Sequence, residues 1–139
     1  MAELTRAPIA VERLLAEATR PDCGAIALFL GTTRDHHAGR RVVRLAYEAY
    51  EPMALAALER LEAEAVSRSG AARCRIVHRL GEVPIGEPSV AVMVTAAHRA
   101  PAFEACRRAM DELKRTVPIW KQEHFAEGGP EWVEGMPLA

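Results

Sequence analysis

Long apolar stretches, a strong charge of either sign and paired cysteines are all absent from this sequence of 139 residues. No uninterrupted apolar run approaches the roughly 20 residues that a membrane-spanning helix needs, and residues 1–6 lack the basic start and apolar run of a signal peptide. The formal net charge is −1, so no overall positive field favours nucleic acid or an anionic membrane surface. We therefore expect a cytoplasmic protein that binds neither nucleic acid nor membranes.

Cysteine is scarce as well. Cys23, Cys74 and Cys106 form no C-x-x-C pair and have no histidine at the spacing of a zinc site. An odd number of separated cysteines argues against a disulfide framework, and we predict neither a metal nor a cofactor. Cys74 and Cys106 fall on apolar positions of predicted elements, where a free cysteine is usually a small core residue. A lone catalytic or sulfur-carrying cysteine is the alternative.

Lysine is rare too, because the 18 basic residues include only Lys114 and Lys121. Lysine offers what arginine does not, an amine that can lose its proton near neutral pH when it is desolvated or crowded by cations. In a sequence this rich in arginine, a retained lysine indicates a position where arginine cannot replace it. The two lysines are therefore candidates for an acid, a base or a nucleophile. The alternative is an ordinary surface lysine that stabilises the dipole at a helix end.

The apolar pattern predicts one globular domain. Half of the residues are apolar and 27% are charged, and no repeat or linker interrupts the chain, so we predict a single domain over residues 1–139 with its core from about 5 to 135. Three amphipathic segments predict helices at 8–19, 52–69 and 101–117. Six apolar or alternating segments predict strands at 24–30, 43–50, 74–80, 90–95, 119–123 and 131–133. Residues 31–41 are predicted to form a loop.

The order of these elements, α-β-β-α-β-β-α-β-β, is not the strict alternation of a doubly wound sheet. We predict an α+β fold with a mixed or antiparallel sheet and about three helices, in an α/β-hammerhead-like arrangement. Large apolar side chains that we expect to face the core include Leu15, Val43, Met53 and Phe103. Glu62 is expected to face solvent.

Cationic side chains collect at three element ends. These are the predicted loop (Arg34, His36, His37, Arg40 and Arg41), the end of a strand (His98 and Arg99) and the segment KRTVPIWK at 114–121. Element ends are where side chains converge on a ligand held by a rigid scaffold. Phosphate is the natural ligand, because arginine supplies forked donors and a helix start near Pro101 adds backbone N–H groups. The alternative is that the loop charges are simply solvated.

We predict that one pocket brings the cationic groups together, either within one chain or with a second chain. Its lining residues are predicted to be Arg34, His98, Arg99, Lys114 and Lys121. The break at Pro118 lets the chain turn and bring Lys121 back toward Lys114.

Three aromatic side chains have a structural interpretation. His78 lies on the apolar face of its strand, where a histidine is more often a hydrogen-bonded core residue than a ligand. Trp120 and Trp132 are predicted to anchor the C-terminal strands, with Trp120 also walling the pocket. The apolar strands and this C-terminal segment exceed what three helices cover, so part of that surface is predicted to meet another chain.

Five segments together resemble one family. They are GTTR (31–34), LAYEAYEPMA (45–54), VHRLGEVPIGEPSV (77–90), AAHRAPAFEACRRAMDELKRTVPIWKQE (96–123) and EWVEG (131–135). The run from His98 to Glu123 is long and unusual in composition. On these segments the sequence resembles the MoaE-type family, the large catalytic subunits of molybdopterin synthase.

The resemblance implies a sulfurtransferase of molybdenum cofactor biosynthesis. Such an enzyme inserts sulfur into cyclic pyranopterin monophosphate and so forms the dithiolene of molybdopterin. The sulfur arrives on the C-terminal Gly-Gly thiocarboxylate of a small ubiquitin-like subunit of the MoaD type, so no cysteine of this chain is needed. The implied assembly is a homodimer with one small subunit at each end, a heterotetramer.

The resemblance also implies roles for individual residues. Lys114 and Lys121 match the family's catalytic lysines. The family's substrate-contacting positions are matched by Thr32, Thr33, Arg34, His98, Arg99, Gln122 and Glu123. Thr33 stands where the family commonly has an apolar residue, and the tail after Val133 is short. We expect Lys121 to be the acid or base nearer the substrate and Lys114 to meet the carboxyl terminus of the partner.

Two other classes of function stay open from the residues alone. In a non-catalytic anion-binding or assembly module, the arginines hold a phosphate or nucleotide and the lysines only add charge, so lysine-to-arginine changes are tolerated. In a Schiff-base enzyme, one lysine reacts with a carbonyl substrate and borohydride traps the adduct.

Overall fold

Two β-sheets and three helices make up the part of the chain that the structure, a computed structural model, describes, residues 1–133. The elements in chain order are β1 (Glu3–Thr5), α1 (Val11–Ala18), β2 (Ala25–Thr32), β3 (His36–His37), β4 (Arg40–Ala49), α2 (Glu51–Ser69), β5 (Arg73–Arg79), β6 (Gly81–Pro84), β7 (Pro88–Ala96), α3 (Arg99–Thr116), β8 (Ile119–Phe125) and β9 (Gly129–Val133). The end of the EWVEG segment, the tail after Val133 and the last residues of the predicted domain and core lie outside the described residues. The α+β class and the three predicted helices are confirmed.

The first sheet is mixed and has the strand order β1-β5-β7-β2. β1 pairs with β5 in parallel, whereas β7 pairs antiparallel with β5 and β2. Helices cover both faces of the sheet, α2 and α3 on one side and α1 on the other. Every residue of β7 after Pro88 is therefore buried, which explains why this segment is a continuous apolar run instead of an alternating one.

The second sheet is organised by β4, which pairs antiparallel with β3, β6 and β8, while β9 extends the sheet beyond β8. A bulge between Val42 and Arg44 shifts the register against β8. As a result Val42 is buried and Val43 is 39% exposed. The prediction that Val43 faces the core is wrong for this reason.

Glycine and proline residues set the helix ends. Pro52 lies in the first turn of α2, where its missing N–H has no intrahelical partner to lose. Gly70 follows α2 in the left-handed conformation, with φ at 78°, and donates its N–H to the carbonyl of Val66. α3 ends at Thr116, two residues before Pro118, which cannot continue a helix.

Three short strands are missing from the sequence prediction, namely β1, β3 and β6. Each has two to four residues and is fixed by pairing with a longer neighbour, not by an apolar pattern of its own. β2 continues to Thr32, and β3 and the start of β4 form a hairpin with His37 opposite Arg40. The loop predicted at 31–41 is therefore wrong at both ends. The first helix begins at Val11, three residues later than predicted.

Small side chains form much of the buried face of the helices. The buried alanines of α2 and α3 include Ala54, Ala57, Ala102, Ala105 and Ala109. The larger residues predicted for these faces point outward, because Met53 is 57% and Phe103 68% exposed. Leu15 on α1 is likewise 42% exposed. These three core predictions are wrong, since spacing alone did not distinguish the alanine side of each helix from its neighbour.

Glu62 is a buried carboxylate on α2, contrary to the prediction that it faces solvent. It accepts a hydrogen bond of 2.7 Å from the backbone N–H of Ile76 and one of 2.6 Å from the ammonium group of Met1. These charge-assisted contacts offset the cost of burying the carboxylate. They also connect α2 to β5.

Within residues 1–133, the structure contains no helix with both the length and the apolar character that crossing a bilayer requires.

Candidate active site

A cavity of about 550 Å³ lies where the two sheets meet the C-terminal end of α3. Strands β2, β5 and β7 of the first sheet and β4, β8 and β9 of the second contribute to its walls. Its charged and histidine side chains are Arg34, His36, His37, His78, Lys114, Lys121 and Glu123. The cavity is therefore a meeting point of elements that are distant in sequence.

The sheet wall of the cavity follows from strand alternation. Lys121 and Glu123 lie two residues apart on β8, so their side chains leave the same face of the strand. The register of β4 against β8 places Tyr47 opposite Lys121 and Leu45 opposite Glu123. All four side chains line the cavity.

The helix wall of the cavity is the last turns of α3. Met110 and Leu113 contribute apolar surface, and Lys114 follows Leu113 directly. Lys114 is an exposed residue. The turn at Pro118, which follows the end of α3, brings β8 back to the same cavity, as predicted, so that Lys114 and Lys121 both line it.

The third wall depends on Gly31 at the end of β2. A Cβ atom at this position would lie 2.7 Å from the Cγ1 atom of Val90 on the neighbouring strand β7, closer than real side chains approach. Only glycine lets the two strands pack this tightly. Thr32 and Arg34, which follow, line the cavity entrance and are both exposed.

Glu123 is the electrostatic centre of the sheet wall. Its side chain is 4% exposed, and its Oε2 atom lies 3.2 Å from Nζ of Lys121 and 3.7 Å from Nδ1 of His37. Its other oxygen, Oε1, is buried and has no hydrogen-bond partner among residues 1–133. A buried carboxylate oxygen without a partner is costly, and a donor from a bound ligand would satisfy it.

Arg34 and Lys114 differ from Lys121 in having no acidic partner. Neither forms an ion pair within the described part of the chain, while Lys121 pairs with Glu123. Three cationic side chains therefore face the cavity against one carboxylate, and its net charge is positive. Such a cavity attracts anions.

Next to the charged wall lies a neutral polar group of Tyr47, His78 and Ser89. The rings of Tyr47 and His78 make an edge-to-face contact with centroids 5.0 Å apart. Burial lowers the pKa of His78 to about 4, against a smaller upward effect of its hydrogen bond to the carbonyl of Arg79. Burial, reinforced by the charge of Glu123, raises the pKa of the Tyr47 phenol. Both rings are therefore neutral at pH 7.

The structure brings together five of the nine residues predicted for the site. Thr32, Arg34, Lys114, Lys121 and Glu123 line the cavity. Thr33 is buried at 3% exposure outside the lining, because its backbone hydrogen-bonds to Gly86 and Glu87 and turns its side chain inward. Gln122 leaves the opposite face of β8, in register with Trp132 of β9.

His98 and Arg99 lie at the other end of α3. Both are exposed, and His98 is the residue that precedes the helix. Fifteen helical residues separate Arg99 from Lys114, which at 1.5 Å per residue is about 22 Å. The prediction of one shared pocket is therefore correct for Arg34, Lys114 and Lys121 and wrong within a single chain for His98 and Arg99.

Tyr47, Ser89 and Met110 line the cavity but are not among the residues predicted for the site. The alternation of β4 indicated that Tyr47 faces inward, but not that a cavity lies there. His78 is a buried, hydrogen-bonded core residue as predicted, and it also contributes to the cavity wall. Trp120 does not line the cavity, since it lies on the face of β8 opposite Lys121, and Trp120 and Trp132 are 42% and 56% exposed. The prediction that they anchor the strands by packing is wrong within this chain.

The cysteines take no part in the cavity lining. Cys74 and Cys106 are buried free thiols, as predicted. Burial raises the pKa of Cys74 to about 12 and also raises the pKa of Cys106, so neither is a reactive thiolate at neutral pH. Across residues 1–133, no group of three or more His, Cys, Asp or Glu side chains is arranged to hold a metal ion.

Comparison with known proteins gives consistent matches over nearly the whole chain. A family model described as "MoaE protein" matches residues 4–116. The chain is 42% identical over 134 residues to the molybdopterin synthase catalytic subunit 1 of Mycobacterium tuberculosis, which covers 96% of this chain and 90% of the relative.

Solved structures have the same fold. A chain of molybdopterin synthase from Staphylococcus aureus superposes with a TM-score of 0.90 at 32% identity, covering 96% of each chain. A chain from the complex of subunits 1 and 2 of molybdopterin-converting factor from Helicobacter pylori gives a TM-score of 0.80 at 20% identity, over 99% of this chain and 92% of that one. Because the family model matches most of the chain and the identity to a catalytic subunit exceeds 40% over nearly its full length, the chain belongs to the MoaE family of molybdopterin synthase catalytic subunits.

Proposed function

We propose that this chain transfers sulfur from the C-terminal thiocarboxylate of a small ubiquitin-like subunit to cyclic pyranopterin monophosphate, forming the dithiolene of molybdopterin. One observation carries the proposal. The two lysines of the chain, Lys114 and Lys121, line one cavity together with Arg34 although they lie on different elements.

The charge of the cavity suits both reactants. The substrate carries a phosphate, and the thiocarboxylate of the partner is also an anion. Three cationic side chains against one carboxylate give the cavity the opposite sign. Arg34 at the entrance supplies forked donors of the kind that bind phosphate oxygens.

Lys121 serves as the acid or base beside the substrate. Its amine is held 3.2 Å from the buried carboxylate of Glu123, so it has a fixed direction and a compensating charge. When sulfur adds to a carbon of the pterin side chain, a new C–S bond forms, the C–O bond at that carbon breaks, and the ammonium group protonates the departing oxygen. The unpartnered Oε1 atom of Glu123 is free to accept a hydrogen bond from the substrate.

Lys114 meets the carboxyl terminus of the partner. Its exposed position at the end of α3 is reached from outside the cavity, and its ammonium group neutralises an arriving thiocarboxylate. After sulfur has bonded to the pterin, water adds to the acyl carbon and the acyl C–S bond breaks. The partner then leaves as a carboxylate, so each thiocarboxylate delivers one sulfur atom and a second transfer completes the dithiolene.

A second copy of the chain completes the site with its His98 and Arg99. These residues lie about 22 Å from Lys114 along α3 of their own chain, so only another molecule can bring such a pair to the cavity. Exposed apolar side chains are available for assembly, among them Ile26, Phe103, Trp120 and Trp132. We propose a homodimer that carries one small subunit at each end, a heterotetramer.

The partner is a MoaD-type sulfur carrier that ends in Gly-Gly, since a narrow backbone can carry the thiocarboxylate past Lys114 into the cavity. The solved Helicobacter pylori complex of two subunits, which includes a chain of this fold, supports a two-subunit assembly. We place the reaction in the cytoplasm. Three cysteines that remain thiols in the structure are consistent with a reducing compartment.

The experiment that tests this function mixes the chain with a thiocarboxylated small subunit and cyclic pyranopterin monophosphate, and measures the dithiolene product. The anion-binding module is distinguished by Lys121→Arg, which keeps the charge but removes an amine able to exchange its proton. Binding of the pterin phosphate should survive this change and product formation should not. Product formation at the wild-type rate in the variant would contradict the proposed chemistry.

A further inference from the structure

His78 combines burial with access to the cavity. Its side chain lies on β5 opposite Val90 of β7 and the residue is only 4% exposed, yet it contributes to the cavity wall. Neither the resemblance nor the proposed mechanism gives it a role. Packing alone at this position would be served by an apolar residue. The presence of a histidine therefore raises the question of what each of its two ring nitrogens binds.

One nitrogen has a structural role. The Nδ1 atom lies 2.8 Å from the backbone carbonyl oxygen of Arg79. A carbonyl oxygen only accepts hydrogen bonds, so Nδ1 carries the hydrogen and donates it. This bond fixes the ring orientation and the tautomer, because a neutral imidazole with hydrogen on Nδ1 has a bare lone pair on Nε2.

The other nitrogen, Nε2, is not used in that bond, and His78 belongs to the cavity wall. Burial holds the ring neutral, with a pKa of about 4, so Nε2 stays an acceptor throughout the neutral range. The charged groups that share the cavity are Lys121 and Glu123 from β8, Lys114 from α3 and Arg34 after β2, and Tyr47 packs on the ring from β4.

We propose that Nε2 of His78 accepts a hydrogen bond from a ring N–H of the bound pterin and thereby orients the heterocycle against the neutral side of the cavity. The inference rests on the proposed function, because it concerns the substrate of that reaction. The cationic side chains of the cavity only donate, so they recognise the phosphate. A nitrogen heterocycle also presents N–H donors, which need an acceptor, and Nε2 of the neutral imidazole is one.

This arrangement divides recognition between two sides of the cavity. Arg34 and the lysines hold the anionic end of the substrate, and His78 with Tyr47 holds the flat, neutral end. The edge-to-face contact between the two rings keeps the imidazole in place while Nε2 faces the ligand. A phosphate without a heterocycle would use only the first side.

Two substitutions test the roles of the two nitrogens separately. His78→Asn retains a donor near the position of Nδ1, and so the bond to the Arg79 carbonyl, but loses the acceptor. His78→Gln extends an amide oxygen toward the position of Nε2 and retains an acceptor. We expect His78→Asn to raise the KM for the pterin about tenfold, as for the loss of one net hydrogen bond, with kcat within about twofold and the KM for the small subunit unchanged. His78→Gln should stay near the wild-type KM.

Binding of the pterin to the chain without its small subunit gives a readout that is independent of turnover. The same tenfold loss should appear in the Kd of His78→Asn, and inorganic phosphate should bind both variants like the wild type. Equal pterin affinity in His78→Asn and wild type, or equal weakening in both variants, would overturn the inference. A raised KM for the small subunit alone would also overturn it, since the donor would then belong to the tail of the partner.

Nitrogen NMR of the wild type covers the case in which a variant does not fold. With ¹⁵N-labelled histidine, we expect the His78 signals of the Nδ1–H tautomer, and addition of the pterin should move the Nε2 signal and leave Nδ1 in place. An unmoved Nε2 signal with saturating pterin contradicts the proposal. Absence of sulfur transfer by a wild-type chain that binds the pterin through His78 would instead count against the proposed function alone.

Discussion

The two walls of the cavity hold their lysines differently. On the sheet wall, Lys121 stands on a strand, 3.2 Å from a carboxylate that is 4% exposed. On the helix wall, Lys114 stands in the last turn of α3, exposed and without an acidic partner within residues 1–133. An amine paired with a buried carboxylate keeps one orientation, whereas a free ammonium group at the rim attracts an anion from outside. The contrast supports the proposed division, in which Lys121 transfers a proton and Lys114 receives the partner, and which the sequence leaves open.

The largest expected effect comes from exchanging each lysine for arginine. Lys121→Arg keeps the positive charge, but a guanidinium group does not give up a proton near neutral pH. We therefore expect kcat for dithiolene formation to fall about 10²–10⁴-fold. Lys114→Arg retains a positive charge for the thiocarboxylate. We expect a smaller effect, about tenfold, which should appear mainly as a higher KM for the small subunit. Steady-state kinetics with each reactant varied separates the two. A larger loss of kcat in Lys114→Arg than in Lys121→Arg would reverse the division of roles.

His78, in the neutral polar group next to the sheet wall, predicts a pH dependence of stability. The unfolded chain protonates His78 near the ordinary pKa of 6.5, and the folded chain only near about 4. The unfolded state therefore binds more protons between these values, and the free energy of unfolding falls as the pH drops from about 6.5 to about 4. The full effect is on the order of 3 kcal/mol.

Urea unfolding at several pH values tests this dependence. His78→Gln, which has no titrating group at this position, should lose less stability over the same interval than the wild type. Parallel curves for the two proteins would show that the imidazole does not titrate with a lowered pKa in the folded chain.

The carboxylate of the sheet wall gives the next effect. Glu123→Gln removes the charge that holds Lys121, so we expect about a tenfold loss of kcat and an unchanged KM for the small subunit. Glu131→Gln is the matched control, because Glu131 on β9 pairs with Arg40 on β4 and is not part of the cavity lining. A rise in the KM for the small subunit in Glu123→Gln would mean that the carboxylate acts on the helix wall as well.

The outer face of β8 provides the smallest effect on the chain itself. Trp120 is 42% exposed and points away from the cavity, so Trp120→Ala should change the free energy of unfolding of the isolated chain by no more than about 0.5 kcal/mol. If this face meets another chain, sedimentation should show weaker assembly in the variant. A clean monomer of the wild-type chain at micromolar concentration would contradict the proposed dimer.

The sequence was most informative where a pattern is local. Pro118 predicts the turn that returns Lys121 toward Lys114. Gly70 marks the end of α2 because only glycine adopts the left-handed conformation there without strain. These features depend on neighbouring residues, so they can be inferred from the chain alone.

The remainder depends on contacts between distant segments. The short strands β1, β3 and β6 exist because longer strands offer them hydrogen-bond partners. The bulge between Val42 and Arg44 reverses which side chains of β4 face the core before that point, and no apolar pattern signals this change. The position of His98 and Arg99 follows from the length of α3, so counting helical turns favours the second-chain alternative of the predicted shared pocket.

Intact-mass analysis of the small subunit tests the central claim most directly. The thiocarboxylated subunit is incubated with this chain and cyclic pyranopterin monophosphate, and its mass is followed alongside dithiolene formation. We predict conversion of the thiocarboxylate to the carboxylate in step with product when the wild-type chain and the pterin are both present, and little conversion with Lys121→Arg. An intact thiocarboxylate in the complete wild-type mixture, or equal conversion with Lys121→Arg, would contradict the account.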